Sequence, residues 1–213
     1  MIKAVIFDFN GVIVDDEALH DEAFVSVWKK EMGIILTDDD LEKLIIGRTD
    51  REGMQNIAEK YGVPADIDYM IEQKKLGYQK LATDLQPQKG LIELLNKISG
   101  KVKIGLVTSA LRLEVLRIMD LFNLGNYFEA VITGEDVEKG KPHPEPYLNA
   151  AKALGVRPDE CIVIEDSPVG IWSAKNAGMY CVAIRTKVFN ASELYRADKM
   201  VNSLNEIKIE EFL

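Results

Sequence analysis

Acidic and polar residues follow the first apolar run of this 213-residue chain. Residues 3–7 (KAVIF) are mostly β-branched or aromatic, and Asp8, Asn10 and Gly11 come soon afterwards. This pattern predicts a buried parallel strand that carries Asp8 at its carboxyl end, where open α/β sheets place their chemistry. A carboxylate there could be a metal ligand, a covalent nucleophile or only a turn residue, and the strand alone leaves these alternatives open.

Two later segments carry groups that complement an aspartate. The apolar run 103–107 ends on Thr108 and Ser109, whose hydroxyl and backbone N–H groups could hold phosphate oxygens. Lys141 lies in the proline-rich turn 139–146 and could balance the charge of a carboxylate nucleophile and a transferring phosphoryl group. Taken singly, the hydroxyl pair could equally be a helix cap and the lysine a solvated loop residue.

A further apolar run, 161–164, ends on Glu165 and Asp166. Two adjacent carboxylates at the tip of a buried strand are costly without a cation, which makes this pair a candidate Mg²⁺ site. The structural alternative is that Asp166 or Ser167 caps the helix that begins at Pro168. The four strand ends taken together are far more specific than any one of them.

Alternating strands and helices must position these residues. The core is therefore predicted to be an α/β fold with a doubly wound, Rossmann-like parallel sheet. Strands are expected at residues 3–7, 103–108, 128–132, 161–164, 180–184 and 199–201, and helices from residue 91 and near 112–122, 146–154 and 168–177.

Residues between the first two strands have helical periodicity throughout, with Asp15 and Asp16 as candidate caps of the first helix. We expect two domains, an α/β core of residues 1–14 and 87–213 and an all-helical cap of residues 15–86. The two connections, near residues 14–16 and 83–87, would act as a hinge whose closure excludes water from the site.

Composition limits the classes of partner. The chain is 47% hydrophobic and 29% charged, with a net charge of −9 and a pI near 4.9, which argues against nucleic acid or an anionic membrane as a partner. It contains no apolar run of membrane-spanning length, and its first residues enter a strand at once, so we expect a cytoplasmic protein. We also expect a monomer, with Cys161 and Cys181 as buried structural residues.

The order of these motifs resembles that of the haloacid dehalogenase-like (HAD) phosphohydrolases, in particular the branch with β-phosphoglucomutases and sugar-phosphate phosphatases. That family has DxDG after the first strand, then a helical cap, a Ser/Thr strand end, GKP and an ED pair. The resemblance implies a Mg²⁺-dependent phosphatase that acts on a small phosphorylated metabolite through an aspartyl phosphate. It implies Asp8 as the nucleophile, Thr108 as a phosphate ligand, Lys141 as the charge-balancing cation, and a Mg²⁺ site of Asp8, Asp166 and the Asn10 carbonyl, with Glu165 orienting the metal's waters.

Substrate selection is expected in the cap. In this resemblance the loop 46–51 faces the core site, so Gly47 would line the substrate while Arg48 and Arg51 could hold a distal anionic group. His20 on the first cap helix and Ser109 in the core could also contact substrate. Exposed arginines at a helix start and a surface histidine are the structural alternatives.

Asn10 departs from the family pattern, in which this position is an aspartate that protonates the leaving alcohol and activates water. An amide cannot do this, so turnover of poor leaving groups should be weak. The chain could be a natural variant with another proton donor, an engineered variant made to trap a state, or a phosphometabolite-binding regulator without turnover. A mutase would suffer most from the loss of that acid. Dehalogenation, the other reaction of the family, needs no metal, so the acidic pair argues against it. Simple phosphate hydrolysis is therefore favoured, with a β-phosphoglucomutase-like mutase as the alternative.

Overall fold

The computed structural model describes residues 1–45, 50–82, 85–186, 189 and 191–211. The chain forms two compact units, Met1–Asp15 with Gln86–Leu213 and Asp16–Leu85. These bounds lie one residue from those expected from the sequence. Thr83 and Asp84, in the second expected connection, fall outside the described residues.

A six-stranded sheet forms the first unit, which we call the core unit. Its strand order is β3-β2-β1-β4-β5-β6, and every neighbouring pair is parallel. The predicted doubly wound α/β fold is therefore confirmed. The strands are β1 (Ala4–Phe7), β2 (Lys103–Val107), β3 (Ala130–Ile132), β4 (Cys161–Glu165), β5 (Tyr180–Ile184) and β6 (Lys199–Val201).

Eight α-helices accompany the sheet in the part of the chain that the structure describes. The first four belong to the second unit, the cap unit, where a short π-helix (Leu41–Ile45) follows the second of them. The other four flank the sheet. They are α1 (Glu17–Met32), α2 (Asp38–Asp40), α3 (Asp50–Tyr61), α4 (Ile67–Leu81), α5 (Leu91–Ile98), α6 (Arg112–Leu121), α7 (Glu145–Leu154) and α8 (Pro168–Asn176).

Burial explains the position of β1 at the centre of the sheet. All four of its residues are fully buried, and it pairs with β2 on one side and β4 on the other. Ala4 and Ile6 belong to a core cluster with Tyr147 and Leu154 of α7 and Ile171 of α8. A strand that is apolar on both faces is typical of a parallel sheet covered by helices.

The cap unit has an apolar core of its own. Phe24 and Trp28 of α1 are buried together with Met54, Ile57 and Met70 of α3 and α4. These residues recur at helical spacing, so each helix presents one apolar stripe to the others.

The start of α1 differs from expectation. Asp16 occupies the cap position, but its side chain makes no capping hydrogen bond. Its Oδ2 instead accepts the hydroxyl of Tyr78, at 2.6 Å. The capping prediction was wrong for Asp16 because a tertiary partner binds its carboxylate.

None of the helices in the described ranges combines the length and the hydropathy needed to cross a membrane. Cys161 and Cys181 are both buried and unbridged, as expected for structural cysteines.

Candidate active site

The carboxyl ends of the central strands bring the predicted core residues to one edge of the sheet. Asp8 follows β1, and its N–H donates to the carbonyl of Ile164 in β4, at 2.9 Å. Thr108 follows β2, and its N–H donates to the carbonyl of Ile132 in β3, at 2.9 Å. Each residue thus continues the hydrogen-bond ladder by one step, which fixes its backbone at the edge.

Lys141 bridges two of the acids. Its Nζ donates to Asp8 Oδ1 and also to Glu165 Oε1, the latter at 2.6 Å. The lysine side chain is only 6% exposed, so these contacts form away from bulk water. Its ammonium also lies 5.1 Å from the ring centroid of Tyr147.

The loop that carries Lys141 is fastened on both sides. The Glu145 carboxylate accepts the N–H of Glu138, at 2.8 Å, and that of Lys139, at 3.2 Å. On the other side of Lys141, the Ser173 hydroxyl donates to the carbonyl of His143, at 2.5 Å. Holding a lysine side chain in one rotamer costs conformational entropy. Because the backbone of this loop is already fixed, placing the Lys141 ammonium costs less entropy than it would in a flexible loop.

Glu165 is completely buried and accepts hydrogen bonds from five donors among the described residues. The ammonium of Lys141 and the hydroxyl of Tyr147 donate to Oε1, at 2.6 and 2.8 Å. The N–H groups of Asp166 and Ser167 and the Ser167 hydroxyl donate to Oε2, at 3.0, 3.1 and 3.0 Å. The Ser167 hydroxyl also accepts the N–H of Gly170 and so caps α8, as the sequence suggested.

Asp166 lies over the backbone beside Asn10. A Cβ added to Gly11 would come within 2.1 Å of Asp166 Oδ2, and Gly11 has a φ of +75°, so glycine is required here for two reasons. Asp8, Glu165 and Asp166 each offer an oxygen within 4.8 Å of the others. Hard cations such as Mg²⁺ take oxygen ligands of this kind. Asp8 and Asp166 could hold the ion directly, because both oxygens of Glu165 already accept hydrogen bonds.

The electrostatics also favour a bound cation. Burial and the Glu165 carboxylate raise the pKa of Asp8 from 3.8 to about 7, although Lys141 lowers it. Burial opposes the charges of Lys141 and Glu165 too. The carboxylates of Asp8 and Glu165 nevertheless hold the pKa of Lys141 above its ordinary value, and the ammonium of Lys141 holds the pKa of Glu165 below its ordinary value. Three acids with one lysine leave an excess of negative charge, which a divalent cation would neutralise.

Thr108 and Ser109 lie at the same edge. Thr108 is buried, and its Oγ1 accepts the N–H of Ala110, at 3.0 Å, which orients the hydroxyl. Ser109 is exposed. Gly134 packs against this turn, since a Cβ there would lie 2.7 Å from the carbonyl oxygen of Ser109.

His20 is held in a polar network of the cap unit. Its Nε2 lies 3.2 Å from Asp16 Oδ2, and its Nδ1 lies 2.9 Å from the ammonium of Lys74. Lys74 is buried and also donates to both carboxylate oxygens of Asp50, at 2.8 and 3.0 Å. The ring of His20 stacks on that of Tyr78, with centroids 4.2 Å apart. We call these five residues the cap network.

Three members of the cap network, Asp50, Lys74 and Tyr78, did not emerge from the sequence. A signal for Lys74 exists, because it lies four residues from both Met70 and Tyr78 on the buried face of α4. A lysine on an apolar stripe indicates a buried partner.

Of the two arginines predicted to hold a distal anionic group, one lies in the described part of the chain. Arg51 forms an ion pair with Asp68 on the exposed surface of the cap unit. Gly47 and Arg48 lie outside the described residues.

The fold and the site define a doubly wound α/β protein with an acidic centre and a buried lysine at the carboxyl edge of its sheet. Residues 5–184 match the haloacid dehalogenase-like hydrolase family, and the chain belongs to that family. The predicted resemblance is confirmed, and the chain is an enzyme of the branch with phosphatases and phosphoglucomutases.

Three similar proteins illustrate the relationship. The phosphorylated carbohydrates phosphatase of Thermotoga maritima is 34% identical over 183 residues, covering 84% of this chain and 82% of that protein. The β-phosphoglucomutase of Bacillus subtilis is 31% identical over 221 residues, covering 98% and 93%. The crystal structure of a HAD hydrolase, family IA, variant 3, from Entamoeba histolytica has a TM-score of 0.85 at 30% identity, covering 99% of this chain and 97% of that one.

Proposed function

We propose that this protein is a Mg²⁺-dependent phosphatase of small phosphorylated metabolites, with sugar phosphates as the substrate class, and that Asp8 is its nucleophile. The observation that carries the proposal is the bridge from Lys141 to both Asp8 and Glu165 in a buried acidic cluster. A lysine held in this way can neutralise a carboxylate and a phosphoryl group during transfer between them.

In the first step a carboxylate oxygen of Asp8 attacks phosphorus. A bond from that oxygen to phosphorus forms, the bond from phosphorus to the leaving oxygen breaks, and an aspartyl phosphate results. The ammonium of Lys141 and the hydroxyl of Thr108 would bind the phosphoryl oxygens, on which negative charge is spread in the transition state.

Asp8, Asp166 and the carbonyl of Asn10 would hold Mg²⁺, with Glu165 serving chiefly to position Lys141. When bound, the ion neutralises phosphoryl charge and lowers the pKa of Asp8, so that the carboxylate is ionised at neutral pH. The excess of acids over lysine at this edge supports that assignment.

In the second step a water oxygen attacks phosphorus and the bond to Asp8 breaks, which restores the carboxylate and releases inorganic phosphate. The leaving alcohol needs a proton in the first step, and the attacking water must lose one in the second. Asn10 can do neither because its amide does not titrate near neutral pH. We therefore expect slow turnover of poor leaving groups and a smaller loss with good ones.

The choice of sugar phosphates as the substrate class rests on the similar proteins, two of which are named a phosphorylated carbohydrates phosphatase and a β-phosphoglucomutase.

A phosphosugar mutase is the second candidate, because of the similarity to β-phosphoglucomutase over nearly the whole chain. Such an enzyme must protonate and deprotonate sugar hydroxyls repeatedly, so an amide at position 10 should impair it most.

The test measures Mg²⁺-dependent phosphate release from p-nitrophenyl phosphate and from a panel of sugar phosphates. Four proteins are compared, the chain as it stands, Asn10→Asp, Asp8→Ala and Lys141→Ala. We expect release from the activated ester by the first two proteins only, and release from sugar phosphates chiefly by Asn10→Asp. Release that persists in Asp8→Ala would contradict the assignment of the nucleophile. Saturable binding of sugar phosphates without turnover by any variant would favour a regulator.

A further inference from the structure

We propose that Tyr147 is a positioning residue for Lys141, acting through the hydrogen bond from its hydroxyl to Glu165. This inference rests on the proposed function, in which Lys141 must stay close to Asp8 while the phosphoryl group is transferred.

The hydroxyl of Tyr147 and the ammonium of Lys141 donate to the same oxygen. The distances to Glu165 Oε1 are 2.8 Å from the hydroxyl and 2.6 Å from the ammonium. The ring of Tyr147 lies beneath that ammonium, 5.1 Å from it, and the residue is completely buried. Tyr147 therefore contacts both members of the pair that leads to Asp8.

The hydroxyl, rather than the ring, is the unusual feature of this position. The ring packs in an apolar cluster with Ala150, Leu154, Ile171 and Ala174, where a phenylalanine would bury the same carbon surface. Tyrosine adds one polar atom to this environment, and that atom is directed at a charged carboxylate. A buried hydroxyl needs such a partner, and a hydrogen bond to a charged group is stronger than one between neutral groups.

Loss of this donor should change how Lys141 divides its hydrogen bonds. Glu165 Oε2 is held by backbone and side-chain donors at residues 166 and 167, so that half of the carboxylate stays in place. Without Tyr147, Oε1 keeps Lys141 as its donor among the described residues, and the buried carboxylate oxygen competes more strongly with Asp8 for the ammonium. Lys141 then spends less time in contact with Asp8.

The matched variants are Tyr147→Phe and Tyr147→Leu, with Tyr127→Phe as the control. Tyr127 also donates its hydroxyl, to Asn96 at 2.6 Å, but it precedes β3 and so lies at the opposite end of the strand from the site. Kinetics are measured with p-nitrophenyl phosphate in the chain as it stands and in an Asn10→Asp background. We expect Tyr147→Phe to lower kcat about tenfold with KM unchanged, and to lower the thermal midpoint by only a few degrees, because Oε1 keeps Lys141 as a donor. Tyr147→Leu should lower kcat similarly and lower the midpoint further, because it also removes the buried ring.

A second measurement does not depend on turnover. The ammonium signal of Lys141 is recorded by NMR of ¹⁵N-lysine-labelled protein and assigned by its loss in Lys141→Met. We expect slow hydrogen exchange in the unmodified chain and in Tyr127→Phe, and exchange several-fold faster in Tyr147→Phe.

The outcomes separate the two proposals. If the chain and its Asn10→Asp form release no phosphate, the proposed function fails, and the exchange rates alone decide the role of Tyr147. If kcat and exchange in Tyr147→Phe equal those of the unmodified chain, the positioning role is refuted. A fall in the thermal midpoint of Tyr147→Phe with proportionate losses in kcat and 1/KM would make Tyr147 merely structural, which also refutes it.

Discussion

Replacement of Asp8 by asparagine is expected to stabilise the metal-free protein at neutral pH, although it removes the proposed nucleophile. Burial and Glu165 raise the pKa of Asp8 from 3.8 to about 7 in the folded protein. Between these two pH values the folded state keeps a proton that the unfolded state has released. The stability that this proton provides is complete below about pH 4, and it is lost as the pH rises to about 7.

The magnitude follows from the same two pKa values. Their difference corresponds to about 4 kcal/mol, and the expected gain is smaller because Asp8, Lys141 and Glu165 ionise together. We expect Asp8→Asn to raise the free energy of unfolding by about 2 kcal/mol at pH 7.5. For a chain of this size, that is a rise of about 4–8 °C in the thermal midpoint.

The assay is thermal and urea unfolding in EDTA at intervals from pH 4 to pH 8. The curves for the unmodified chain and Asp8→Asn should meet near pH 4 and diverge as the pH rises. Addition of Mg²⁺ at pH 7.5 should raise the midpoint of the unmodified chain more than that of Asp8→Asn, because a ligand stabilises the state that binds it.

Asp40→Asn is the matched control, since Asp40 is also a buried carboxylate. Burial opposes its ionisation, but Lys60, Thr37 and Tyr61 donate hydrogen bonds to it and hold its pKa below the ordinary value. Its stabilising effect is therefore present at neutral pH and is lost in acid, and Asp40→Asn should be less stable at pH 7.5. An Asp8→Asn protein that is less stable than the unmodified chain at pH 8 in EDTA would refute the reasoning.

Three further changes test other parts of the structure. Asn10→Asp should raise kcat for sugar phosphates by two to four decades, and equal gains on esters with good and poor leaving groups would exclude a role in protonating the leaving group. Gly170→Ala should lower the free energy of unfolding, measured in urea, by about 2 kcal/mol or more, because the added Cβ would lie 1.6 Å from Glu165 Oε1. The control Gly125→Ala has open space around the added Cβ and should change this free energy by less than about 0.5 kcal/mol. Arg51→Ala should change the free energy of unfolding by less than about 1 kcal/mol and leave KM for sugar monophosphates unchanged. A large rise in KM would show instead that Arg51 binds the substrate.

Local patterns were sufficient to identify the strands and the residues at their ends. The periodicity of apolar residues predicts which faces of a strand are buried. This periodicity and the polar residues that end each strand can both be read within short stretches of chain. Asp8, Thr108 and Glu165 could therefore be assigned to one edge, because parallel strands end together. Helix ends were less certain, as the tertiary bond of Asp16 to Tyr78 illustrates.

Only the tertiary structure decided how these residues bind one another. Lys141 is 133 residues from Asp8 in the chain, and its bridge to Asp8 and Glu165 depends on how its loop is fastened. Tyr147 and Lys74 lie at positions where the sequence pattern indicates apolar packing, and a pattern does not reveal where a single polar atom finds its partner. Such a partner is chosen by three-dimensional proximity and by the high cost of burying a polar group alone, neither of which is a local property of the chain.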